Sequence, residues 1–237
     1  MTRLASAFAV ALALLAVSAS SEAKPVAKAP AAHDWTRAVT VTPEGGFRMG
    51  NPAAPVKLVE YGSLACPHCR HFEETGLKPL LQSYVRTGKV SYEFRNLLIS
   101  GPDISISLLT RCAGPAKFFP MSETVYATQP QWQNKIAGMS DTDKAALEKM
   151  TDQQRIVRFA ELGGLADIAA RFGVTSERAR QCLADPKALK QLLDMTQTAE
   201  NNGVDHTPTF IINGTSTDAA TWEDLEPKLK AALGGRG

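Results

Sequence analysis

The residues of this chain best suited to chemistry are two cysteines held two residues apart, in the run Leu64-Ala65-Cys66-Pro67-His68-Cys69-Arg70-His71. So short a separation closes a small, strained and readily exchanged disulfide ring. The run follows an apolar stretch and opens an amphipathic one, so Cys66 is expected at the start of a helix. There the first amide N–H groups lack partners and the helix dipole places partial positive charge, which favours a thiolate. Pro67 suits the first turn, where its missing N–H is not needed. Cys69, one turn on, is within reach of Cys66. Other uses of the pair fit less well. Structural zinc usually draws on a second clustered pair, but Cys112 and Cys182 stand alone. Haem attachment needs a histidine directly after the second cysteine, where Arg70 stands. Dithiol–disulfide exchange is the expected chemistry, with no metal and no cofactor beyond the Cys66–Cys69 disulfide itself.

The elements that must position this pair can be read on either side of it. Val56 to Tyr61 is almost continuously apolar, as in a central strand covered on both faces. Glu60 interrupts it, either exposed at the strand end or buried beneath the cysteines, where its pKa would rise; the composition leaves both open. The amphipathic stretch from Phe72 to Val85 continues the helix, and Val90 to Arg95 alternates like a half-buried strand. From Pro102-Asp103 the pattern is helical as far as Asn202, punctuated by caps at Thr151 and Thr175, by Gly163-Gly164 and Gly173, and by Asp185-Pro186. Strand character resumes at Pro208 to Ile212, Asn213-Gly214 signals a hairpin with a return strand from Thr215 to Asp218, and Thr221 opens a last helix. This order gives an α/β, thioredoxin-like fold with a helical insertion: a first half over 47–102, the insertion over 103–185, a second half over 186–233 and a tail over 234–237.

The 237 residues carry 44% hydrophobic content, enough for a sizeable core, and a net charge of +2, which argues against a nucleic-acid partner. Arg3, the apolar run Leu4 to Val17 and the small residues up to Ala23 read as an export signal over 1–23. Residues 24–46, rich at first in Ala, Lys and Pro, read as a flexible tether. Export leads to an oxidising compartment, where cysteines are more naturally disulfides than ligands.

Several motifs then fall in one order: the lead-in Asn51-Pro52-Ala53-Ala54-Pro55-Val56; Cys66-Pro67-His68-Cys69; Arg111-Cys112-Ala113-Gly114; Cys182-Leu183; and Thr207-Pro208-Thr209-Phe210 before Ile212-Asn213-Gly214. From about Gly50 to Leu233 the chain resembles bacterial DsbA-type periplasmic thiol:disulfide oxidoreductases, within them the alphaproteobacterial group. The resemblance implies that Cys66 is the attacking and attacked sulfur, Cys69 the resolving one and His68 a stabiliser of the Cys66 thiolate. It implies a buried Glu60 with a proton-transfer role, and Pro208 as a cis-proline facing the pair, with the Thr207 backbone free to pair with an extended client. It also implies a second disulfide, Cys112–Cys182. Thr207 stands where the best-known oxidases carry valine, and threonine there occurs in isomerase and reductase relatives as well as in alphaproteobacterial oxidases. The implied activity is transfer of the Cys66–Cys69 disulfide to exported, unfolded proteins with free cysteines, with recharging by a DsbB-type membrane quinone reductase and a monomeric state. An isomerase or reductase of the same fold is the alternative, and a copper- or zinc-handling protein using the pair and nearby histidines a further one. Phe118, Phe119 and Trp132 could face clients, but aromatics in a helical block are more often core.

Overall fold

The computed structural model describes residue 2 and residues 33–234. The export signal and the first part of the tether otherwise lie outside the described residues. The later part of the expected tether is structured. Val39–Val41 forms strand β1, antiparallel to β2 (Phe47–Met49). Val-Thr-Val is β-branched throughout, and Gly45, at φ +84°, turns the chain so that the Thr42 N–H reaches the Gly46 carbonyl at 2.9 Å.

The other strands are β3 (Val56–Gly62), β4 (Val90–Asn96), β5 (Thr209–Ile212) and β6 (Thr215–Ser216), in a six-stranded sheet of order β1-β2-β4-β3-β5-β6. Strand β3 runs parallel to β4 and antiparallel to β5, so it is central, as its apolar run requires. The hairpin after β5 turns on Asn213 and Gly214, both at positive φ. Its return strand is shorter than expected, ending at Ser216.

Helix α1 covers 67–85. It begins with Pro67–Phe72, widens to π geometry over Glu73–Leu77, tightens at Lys78–Leu80 and widens again over Leu81–Val85. Pro79 accounts for the first widening: it has no N–H for the preceding turn, and its ring needs room there.

Between β4 and β5 lie eight helices, the first seven being α2 (Gly101–Cys112), α3 (Pro115–Ala127), α4 (Gln129–Ala137), α5 (Asp141–Glu148), α6 (Asp152–Gly163), α7 (Leu165–Ala170) and α8 (Ser176–Leu183). Helices α9 (Pro186–Asn201) and α10 (Trp222–Gly234) complete the fold. The insertion meets the sheet through aromatic rings. Phe118 stacks on Phe47 with centroids 3.9 Å apart and leans on Phe94, while Phe119 meets Tyr92. Phe118, Phe119 and Trp132 are all buried, so they are core and not a surface for clients. A disulfide joins Cys112, at the end of α2, to Cys182 in α8, closing 70 residues of chain. Among the described residues no helix is long and apolar enough to cross a membrane.

Candidate active site

Cys66 follows β3 by a three-residue loop and is the N-cap of α1, with extended backbone at φ −83° and ψ 125°. It is 5% exposed and Cys69 is 1% exposed; both are free thiols, so the structure is the dithiol form. Their acidities are driven apart. The Cys69 thiol donates to Cys66, the Thr207 side chain and the backbone N–H groups of Cys69 and His68 add to it, and together they outweigh burial. The Cys66 thiol is thereby lowered from 9.0 to about 5. For Cys69, burial, the proton it shares with Cys66 and the negative charges of Glu60 and Cys66 all act in one direction, pushing its thiol well above the ordinary value. The Ser63 N–H, 3.5 Å from the Cys69 sulfur, offsets this only in part. The same inter-sulfur hydrogen bond therefore makes one cysteine an anion and the other a proton holder.

His68 enters through its backbone N–H, while its side chain, like Pro67 and His71, lies at the surface. The peptide between Thr207 and Pro208 is cis, Pro208 is buried, and the Thr207 carbonyl oxygen is 3.4 Å from the Cys66 sulfur. The start of β5 thus borders the reactive sulfur.

Glu60 resolves to the buried alternative. It is 2% exposed and accepts a 2.5 Å hydrogen bond from the Tyr92 hydroxyl. Burial raises its carboxyl to about 8 against the pull of Tyr92, and the Cys66 charge adds to the rise. Sequence reasoning missed a second acid, Glu73. Its buried Oε1 has no hydrogen-bond partner, and burial, then the charges of Glu60 and Glu123, push its carboxyl well up. Glu73-Glu74 in an amphipathic helix reads as a solvated charge pair; the packing of α1 against the insertion could not be read locally.

Also missed was the set of side chains around the loop before Cys66. Asp103, fully buried near the start of α2, accepts from the Ser63 hydroxyl at 2.6 Å and the Ile99 N–H at 3.1 Å. Burial raises it to about 6, with those donors holding it back. Tyr126, Gln129 and Gln133 come from α3 and α4 to the carbonyls of the same loop. The one local signal was Ser100 three residues before Asp103, which reads only as a helix cap. Cys112 and Cys182 lie in their own disulfide, away from this cluster. Among the described residues, no group of three or more His, Cys, Asp or Glu side chains is placed to hold a metal ion.

A family model described as thioredoxin matches residues 42–231, which includes every element of this site. The chain belongs to the thioredoxin family. It is 31% identical to a solved structure described as a protein-disulfide isomerase from Novosphingobium aromaticivorans, with a TM-score of 0.74 over 78% of this chain and 96% of that one. The fold is shared with Wolbachia pipientis alpha-DsbA1, at 21% identity and a TM-score of 0.64 over 79% of this chain and 90% of that one. The thioredoxin-like fold expected from the motifs therefore holds. Among curated proteins, a Rickettsia bellii protein named "Putative protein-disulfide oxidoreductase" is 29% identical over 194 residues, covering 80% of this thioredoxin-family chain. The alignment spans 65% of that relative's length, just under two thirds.

Proposed function

We propose that this chain is a thiol:disulfide oxidoreductase that donates a Cys66–Cys69 disulfide to exported proteins with free cysteines. The observation that carries the reading is the opposed acidity of the two sulfurs, about 5 at Cys66 and well above the ordinary value at Cys69. A client thiolate attacks the Cys66 sulfur of the disulfide form. The Cys66–Cys69 bond breaks, a client–Cys66 bond forms, and Cys69 leaves and takes up a proton. A second client thiolate then attacks the client sulfur of that mixed disulfide, and Cys66 leaves as a thiolate. The client is oxidised by two electrons and this protein is reduced by two. Because Cys66 is the stabler thiolate, it is the better leaving group and the reduced protein is favoured, which drives disulfides outward.

Glu60, buried and protonated up to about pH 8, is the proton reservoir for Cys69. The backbone at Thr207, bordering the Cys66 sulfur, offers an extended client an edge to pair with. The oxidising chemistry suits the periplasm, recharging by a DsbB-type membrane quinone reductase, and action as a monomer. A second reading, isomerase or reductase, is favoured by the name of the Novosphingobium structure and by Thr207. Equilibration against glutathione separates the two. A potential more oxidising than the ~−180 mV of protein disulfide isomerase supports donation, and one near the ~−270 mV of thioredoxin reverses the direction and rejects it.

A further inference from the structure

The four consecutive carbonyls of residues 63–66 all receive side-chain donors from the helical insertion. The Tyr126 hydroxyl donates to the Ser63 carbonyl at 3.0 Å. The Gln129 amide nitrogen donates to the carbonyls of both Leu64, at 3.0 Å, and Cys66, at 3.1 Å. The Gln133 amide nitrogen donates to the Ala65 carbonyl at 2.7 Å. Spacings of three and four residues put these donors on one side of the α3–α4 turn. From a second direction, Asp103 binds the Ser63 hydroxyl, and that hydroxyl in turn accepts from the Ala65 N–H at 3.0 Å. Gln129 is 1% exposed and spends its NH2 group on two carbonyls of this loop. A buried glutamine is costly unless its polar atoms are matched, and apolar packing would fill the same space with less demand.

The consequence falls on the sulfur. Carbonyl dipoles aimed at a thiolate destabilise it, while N–H dipoles stabilise it. With the carbonyls of 63–66 committed to the insertion, the Cys66 sulfur meets the Thr207 carbonyl at 3.4 Å and, as donors, the Cys69 thiol, the Thr207 side chain and the N–H groups of His68 and Cys69. The Cys66 carbonyl, held also by the Arg70 N–H at 3.1 Å, fixes the first turn of α1 and so the direction of those amides. We propose that Gln129 and Gln133 are positioning residues for the Cys66 sulfur, through which the helical insertion sets how strongly the thioredoxin half holds its thiolate. This rests on reading Cys66 as the exchanging thiol.

The test uses the reduced full chain with the Cys112–Cys182 bridge intact, and the variants Gln129→Met and Gln133→Met, which keep bulk and lose the donor. The readout is the pH midpoint of Cys66 thiolate absorbance, with far-ultraviolet circular dichroism to verify the fold. Neither glutamine titrates, and the titratable groups facing Cys66 (Cys69 on α1, Glu60 on β3) are unchanged, so a shift reports position. Gln129→Met is expected to raise the midpoint by about one pH unit, a tenfold loss of thiolate below it, with the glutathione equilibrium moving tenfold towards a weaker oxidant. Gln133→Met, which frees one carbonyl where Gln129→Met frees two, is expected to shift less in the same direction. Folded variants that melt earlier but titrate like the parent would show a purely structural role and overturn the proposal. If Gln129→Met does not fold, an unshifted midpoint in Gln133→Met overturns it alone. A parent midpoint at the free-cysteine value would instead reject the oxidoreductase reading and this inference with it.

Discussion

Relative to that of the oxidised protein, the folding stability of the reduced protein is expected to rise with pH. Cys66 is lowered from 9.0 to about 5 in the fold. At ~1.4 kcal/mol per pKa unit this is worth ~5 kcal/mol once pH exceeds the unfolded value. Between the two values the unfolded chain binds more protons, so the contribution is complete above ~9, declines as pH falls and is gone by ~5. Two buried acids run in the opposite direction. Glu60, raised to about 8, keeps its proton where the unfolded carboxyl has lost it; its contribution is complete below 4.5 and is lost as pH rises towards 8. Glu73 is raised as well and has the same sign. Both acids are present in the two redox forms, so subtracting one stability from the other removes most of their effect. Cys69, also raised, adds its own loss only above the ordinary 9.0.

The assay is urea unfolding of reduced and oxidised protein at a series of pH values, with Cys112–Cys182 intact in both. From about pH 5 to about pH 8 the stability of the reduced form relative to the oxidised should grow by ~4 kcal/mol, three pH units at ~1.4 kcal/mol each. Parallel curves would refute the reasoning, because a thiolate held by the fold must show as linkage.

Thr207→Val removes a donor to the Cys66 sulfur and is expected to raise its midpoint by about one unit, read by thiolate absorbance. Glu60→Gln keeps the shape beside Tyr92 but not the titration, so the pH profile of client oxidation should lose its inflection near 8; an unchanged profile would remove Glu60 from proton transfer. Replacing Cys112 and Cys182 together by alanine opens a loop of 70 residues and should cost ~4 kcal/mol in denaturant unfolding, with client oxidation retained. Phe118→Ala removes a fully buried ring stacked on Phe47 and tilted against Phe94 and should cost ~3–5 kcal/mol by the same measurement.

The parts of this fold visible in the sequence are those that local chemistry dictates. The apolar run of β3, the Cys66 cap with Pro67 behind it, the cap at Thr151 and the Asn213-Gly214 turn each follow from a few neighbouring residues. Strand β1 escaped because three residues at a sheet edge give too little periodicity, and their role depends on pairing with β2. The widened turns of α1 escaped because an amphipathic pattern does not distinguish 3.6 residues per turn from a looser winding. Gln129 escaped for a different reason. A glutamine at a helix start reads as solvated, and only a tertiary contact 65 residues away in sequence makes it a donor to Leu64. Glu60 lies between these cases: the sequence posed its two states, and the cover on both faces of β3 chose the buried one.

On the proposed function, the order in which these groups ionise lets one buried acid serve a pair of sulfurs. Cys66 loses its proton at about 5, when Glu60 still holds its own, so the thiolate forms beside a neutral neighbour. The thiolate then adds to the rise of Glu60, which stays protonated to about 8. Across that interval the sulfur that leaves clients is charged while Glu60 keeps its proton for the sulfur that must accept one. A glutamine at position 60 would preserve the charge but not the proton, and an aspartate would be too short for the Tyr92 contact. Glutamate meets both demands because burial, rather than a neighbouring cation, sets its pKa, and that burial comes from the same strand that delivers Cys66 to the helix.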